Sequence, residues 1–174
     1  MSRDGVNRAA KTVIRVSPTL DTSTYANGDV FFNATEIPNA VCEKGGCSKL
    51  IGITILNEDD VAQDHDLIFM QVSTNLGTIN DAVGSGSLWT NALAKPAKAL
   101  GVIQIDWSDN SVDMVSNLIW TGKSGVYDAN SGVPIPMLLQ AEADSTSVYF
   151  AGVSRSGTPT TAADDYEYIF HIEY

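Results

Sequence analysis

Two cysteines and two histidines in 174 residues leave little material for metal chemistry. A structural zinc needs four ligands, Cys42 and Cys47 offer two, and His65 and His171 lie far from them in sequence. No run reaches the ~18 consecutive apolar residues of a membrane-spanning helix. The opening MSRDGVNRAAK has no apolar core resembling a secretion signal, so synthesis in the cytosol is expected, and a chain starting at Met1 reads as a whole gene product. Basic side chains are also scarce: 10 Lys and Arg against 21 Asp and Glu give a formal net charge of -11. That sign repels phosphate backbones and anionic lipid surfaces, which argues against nucleic acid and membranes as partners.

Catalytic signatures are missing as well. There is no G-x-S-x-G elbow, and the Gly/Ser mixture VGSGSLW lies outside any strand-to-helix context. The stretch SGVYDANSG lacks both the lysine and the following helix of a phosphate-binding loop. Paired carboxylates such as Asp59 with Asp60 and Asp164 with Asp165 are what acidic surface loops produce routinely, and they select no hydrolase. The acidic loop from Glu58 to Asp66 does not match EF-hand spacing and has no glycine at its pivot, so it reads as a solvated loop. No catalytic, cofactor or metal residue is assigned, and a non-enzymatic protein is expected. A tight turn over Glu43-Lys44-Gly45-Gly46 would permit a Cys42 to Cys47 disulfide, while free thiols are the ordinary state in a cytosol.

What the chain does contain is strand pattern. TVIRVS after Lys11 alternates Ile14 and Val16 against Arg15 and Ser17. Asp21 to Asp29 reads as a loop, with Asn27-Gly28 in a tight turn and Asp21 and Asp29 accepting backbone hydrogen bonds. Val30 to Phe32 resumes as an edge strand, with Ile37, Ala40 and Val41 continuing past Pro38. LIGITIL, from Leu50 to Leu56, is the strongest core signal and should be central, with Gly52 marking a bulge or a close neighbour. Further strands are expected over Leu67 to Val72, Leu100 to Trp107, around Leu118 to Trp120, from Met137 to Leu139, and over Thr146 to Val153. The terminus YEYIFHIEY sets Tyr166, Tyr168, Phe170, Ile172 and Tyr174 against Glu167, His171 and Glu173. Short helical turns are expected at Ile79 to Val83 and Thr90 to Leu93. The reading is an N-terminal arm over residues 1–10 and one all-β domain over 11–174. About nine strands form an antiparallel β-sandwich or a jelly roll, with no internal repeat.

The order of several motifs resembles a family of small virion structural proteins of tailed bacteriophages and prophages. These are Thr24-Tyr25-Ala26-Asn27-Gly28-Asp29-Val30, Gly45-Gly46-Cys47-Ser48-Lys49-Leu50-Ile51, Ile55-Leu56-Asn57-Glu58-Asp59-Asp60 and Asp66-Leu67-Ile68-Phe69. Lys98-Ala99-Leu100-Gly101-Val102-Ile103 and Val153-Ser154-Arg155-Ser156-Gly157-Thr158-Pro159 complete the set. The resemblance implies a decoration or cement protein on the capsid exterior. It would bind the major capsid protein and form a homo-oligomer, a trimer by preference, that buries otherwise exposed aromatic patches. Contacts are expected from the arm, with Arg3 and Arg8, and from the 76–99 excursion, with Trp89. A tail or neck component is the first alternative. The second is a carbohydrate- or receptor-binding sandwich that stacks sugars on Trp89, Trp107, Trp120 and several tyrosines.

Overall fold

The computed structural model describes residues 10–84, 97–108, 111–122, 135–157 and 162–174. Within them ten strands follow one another: β1 (Lys11–Val16), β2 (Val30–Ile37), β3 (Cys47–Asn57), β4 (His65–Met70), β5 (Ala99–Ile105), β6 (Ser111–Asp113), β7 (Leu118–Gly122), β8 (Met137–Gln140), β9 (Val148–Ser154) and β10 (Tyr166–Glu173). No helix occurs among the described residues. The strands form two antiparallel sheets, a six-stranded one ordered β1-β10-β3-β7-β6 with β8 also on β3, and a four-stranded one ordered β2-β9-β4-β5. The molecule is an all-β sandwich, as the alternating strands require.

The core lies between the two sheets and is aromatic at its centre. Phe31, Phe32, Phe69, Phe150, Tyr166, Tyr168, Phe170 and Trp120 are all buried. Burying each such ring stabilises the fold by about 2–3 kcal/mol. Many of the rings meet edge to face, for example Phe150 with Phe170 at 4.9 Å between centroids, an arrangement that the aromatic quadrupole favours. β10 supplies Tyr166, Tyr168, Phe170 and Ile172 to this core, and Glu167, His171 and Glu173 to the opposite face.

β3 is the longest strand and lies inside its sheet, as the LIGITIL run predicts. The simple alternation predicted along it is interrupted. His171 of β10 faces Gly52 while Ile172 faces Leu50, so Ile51 is the extra residue of a β-bulge. The bulge resets the phase: Leu50 and Ile53 both enter the core although three positions apart, and Ile51 turns away from it. Along its other edge β3 carries two short strands in succession, β8 on Cys47 to Leu50 and β7 on Ile53 to Asn57.

Other departures have equally local causes. β2 runs without a break to Ile37 and stops before Pro38. Ala40 and Val41 are buried in the following turn and are not strand. The predicted helical turn over Ile79 to Val83 is instead a pair of isolated bridges to the start of β2, Ile79 with Val30 and Ala82 with Asp29. The Asn33 side chain secures the approach to that segment, accepting from Leu76 N at 2.9 Å and donating to Gly77 O at 2.8 Å. The helical turn expected at Thr90 to Leu93 lies outside the described residues. The Asp21 and Asp29 carboxylates do accept from backbone amides, of Ser23 at 2.7 Å and Ala26 at 2.6 Å, and Gly28 has φ 90° in the turn that leads into Asp29 and β2.

Candidate functional site

Arg3, Arg8 and Trp89 lie outside the described residues. Cys42 and Cys47 are both exposed free thiols on either side of the Glu43 to Gly46 turn, which is closed by Gly46 N donating to Glu43 O at 2.9 Å. Trp107 and Trp120 are buried, and their indole N–H groups donate to Gln63 O at 2.9 Å and Asp106 O at 3.0 Å. Neither can serve as a sugar-stacking platform, contrary to the carbohydrate-binding expectation. The expected aromatic patches do not occur among the described residues, and Trp89 and Tyr127 lie outside them. Among the described residues the large exposed apolar side chains are Val13, Val102, Val112, Met114, Val115 and Leu138, none of them aromatic.

The most polar feature of the interior surrounds His65, which is fully buried. Its Nδ1 lies 2.6 Å from Gln63 O, and a carbonyl only accepts, so Nδ1 carries the proton. Nε2 is then the acceptor for the Tyr168 hydroxyl at 2.8 Å. Burial pulls the imidazole down to about 4, opposed by the hydrogen bond to the Gln63 carbonyl and helped by the charge of Arg155, and pushes the Tyr168 phenol well above its ordinary range. The ring is therefore neutral at physiological pH. Gln63 Nε2 extends the network to Ser154 Oγ at 2.7 Å and Ser156 O at 2.8 Å. Beside it, Asn57 Nδ2 donates to Val61 O at 2.7 Å and to the Tyr166 hydroxyl at 3.1 Å. These bonds tie the β3–β4 connection, β9 and β10 together, and they hold a neutral histidine inside an aromatic core. The sequence reading places His65 in the solvated acidic loop of Glu58 to Asp66; instead β4 begins at His65, and Gln63 and His65 are buried, because the run of acidic neighbours masks the one neutral ring that turns inward.

The acidic loop folds back on the sandwich. Asp64 Oδ1 accepts from Trp107 N at 2.9 Å, and Asp66 faces Arg155 Nε at 3.6 Å, an ion pair too long to be a hydrogen bond. Burial raises the Asp66 carboxyl above its ordinary value, and Arg155 opposes that shift. Among the described residues no three His, Cys, Asp or Glu side chains are grouped to hold a metal ion, and no helix is long and apolar enough to cross a membrane.

The strand registers also sort the charges. Glu58, Asp59, Asp60, Asp64, Asp113, Asp164 and Asp165 gather at the end where β3 leaves for β4, where β6 turns into β7 and where β10 begins. The described lysines, Lys11, Lys44, Lys49 and Lys98, all lie toward the opposite end. There Lys98 pairs with Glu142 at 2.7 Å and Lys11 with Glu173 at 3.6 Å.

At the acidic end the outward face of the six-stranded sheet carries an apolar row, in which Leu56 faces Ile119 and Ile119 faces Val112 across β3, β7 and β6. The row continues into the β6–β7 hairpin tip. Met114 N donates to Asn117 O at 2.9 Å, Val115 N donates to Asp113 Oδ1 at 2.7 Å, and a concavity of about 470 Å³ opens between Leu56, Ile119 and Met114. Val115 is 88% exposed and has φ 76°. A β-branched residue in that left-handed region is disfavoured on steric grounds. A second concavity, of about 270 Å³, lies at the lysine end between Lys49, Leu138 and Tyr174.

Fold and surface together define a two-sheet antiparallel β-sandwich with an acidic end, where Arg155 pairs with Asp66, and a mixed-charge end, where the described lysines meet Glu142 and Glu173. The chain matches no family model, no curated protein and no solved structure.

Proposed function

We propose that the protein is a non-enzymatic structural component of a tailed-bacteriophage virion, a decoration or cement protein on the capsid exterior. It acts as a closed homo-oligomer, a trimer by preference, and stabilises contacts of the major capsid protein. The observation that carries the reading is where the resembling motifs fall. Asp66 pairs with Val153 and Leu67 with Ile103, while Gly28 N donates to Ser154 O at 2.8 Å. Four of the six motifs thus meet along the four-stranded sheet and its adjoining turn, while Gly45 to Ile51 and Ile55 to Asp60 fall at the two ends of β3 in the other sheet, a distribution in keeping with motifs that specify a framework.

The surface is in keeping with it. A net charge of -11 suits an outer face better than one lining packaged DNA. Many repeated weak contacts between a rigid sandwich and a shell add up to resistance against internal pressure. The carbohydrate-binding alternative has lost two of its three tryptophans to the core. A tail or neck component differs from a decoration protein in copy number. Particles made without this protein should assemble yet rupture at a lower temperature or a milder osmotic shock than complete particles. Equal robustness of the two would contradict the proposal.

A further inference from the structure

We infer that copies of this chain associate head to tail, the β6–β7 hairpin tip of one copy seating in the pocket beside β8 of the next. This deepens the oligomeric part of the proposal above and does not require a capsid. The tip is apolar and outward: Val112, Met114 and Val115 are 60%, 56% and 88% exposed. A solvated turn of this shape is ordinarily filled by Gly, Asn or Asp. The pocket is lined by Leu138, itself 59% exposed, with Tyr174 and Ser48, and its volume of about 270 Å³ accommodates an apolar side chain.

Charge selects the occupant. Asp113 and Glu58 flank the tip, and Lys49 lines the pocket with Lys11 nearby. Glu173, the acidic residue of the pocket wall, is already paired with Lys11 at 3.6 Å. A twofold contact of tip against tip would bring Asp113 and Glu58 against their own copies, whereas tip against pocket brings them toward Lys49. Tip and pocket lie toward opposite ends of the same sheet, so one copy can use both at once. Such a heterologous contact closes into a ring or grows into a chain.

The test needs the purified chain alone. Light scattering after size exclusion, with sedimentation at rising concentration, should show self-association that weakens as salt is added. Val115→Asp and Leu138→Glu, both at exposed positions, should each keep the wild-type circular dichroism spectrum and run as a monomer by light scattering. An equimolar mixture of the two variants should recover a dimer, because the tip of the Leu138→Glu copy and the pocket of the Val115→Asp copy are both intact. Three results would overturn the inference. One is a wild type that stays monomeric up to about 1 mM, where an interface of only ~4 kcal/mol would be half occupied. The others are variants that associate like wild type, and monomeric variants whose mixture stays monomeric. Since no capsid is present, failure here leaves the virion assignment to its own experiment.

Discussion

The Tyr168 hydroxyl lies 2.8 Å from Nε2 of His65, and this contact joins the two sheets through a polar bond in the middle of an aromatic core. The imidazole is surrounded by the Phe31, Tyr166 and Tyr168 rings, with centroids 4.9 to 5.9 Å away. Protonating it would place a charge among those rings with no carboxylate bonded to it.

Acid should therefore destabilise the fold through His65. Its value lies near 6.5 in the unfolded chain and is lowered to about 4 in the folded one. Above pH 6.5 the contribution is complete. As pH falls from 6.5 toward 4 the unfolded chain takes up a proton that the folded chain refuses, and about 3 kcal/mol is lost. Asp66, raised by burial, works in the opposite sense at the acid end of that window. Urea unfolding of wild type and His65→Gln across this range separates the two effects, since the variant keeps Asp66. The variant should show a shallower loss of stability with acid, and equal slopes would count against a buried neutral His65.

Two glycines predict a contrast. A Cβ on Gly152 would stand 2.4 Å from Cε1 of Phe32, and Phe32 is itself packed on Phe31, Phe150 and Tyr168. A Cβ on Gly101 would meet Sδ of Met137 at the same 2.4 Å, but a thioether chain can rotate away. Gly152→Ala should cost about 1–3 kcal/mol in chemical denaturation, and Gly101→Ala about 1 kcal/mol or less. Equal losses would mean that the Phe32 ring moves as readily as the methionine.

Val115 should be better for contact than for the stability of the monomer. Its φ of 76° is poorly tolerated by a β-branched side chain and well tolerated by asparagine. Val115→Asn is expected to raise the unfolding free energy of the isolated chain by about 1 kcal/mol. A lower melting midpoint for that variant, measured where the wild type is monomeric, would show that the valine stabilises its own turn.

Much of the fold was legible because strands announce themselves by period. The alternation along β10 gave its core and solvent faces, and the LIGITIL run gave the interior strand. What escaped was set by partners distant in sequence. The Ile51 bulge depends on β10 and leaves only Gly52 as a trace. β6 is three residues long and exists by pairing with β7. Ile79 and Ala82, apolar residues a turn apart, read as helical until the start of β2 offers them bridges. For the surface the reason is different. Exposed tryptophans would mark a contact patch, but the rings of Trp107 and Trp120 belong to the apolar core, with the carbonyls of Gln63 and Asp106 satisfying their N–H groups. The patch that remains is built from valines and a methionine, which in sequence look like core.

Copy number in purified particles tests the central claim most directly. Quantitative mass spectrometry of intact virions should find this protein in fixed proportion to the major capsid protein, and protease added outside the intact particle should reach it. A handful of copies per particle would assign it to the tail or neck, and its absence from particles would contradict the virion assignment altogether.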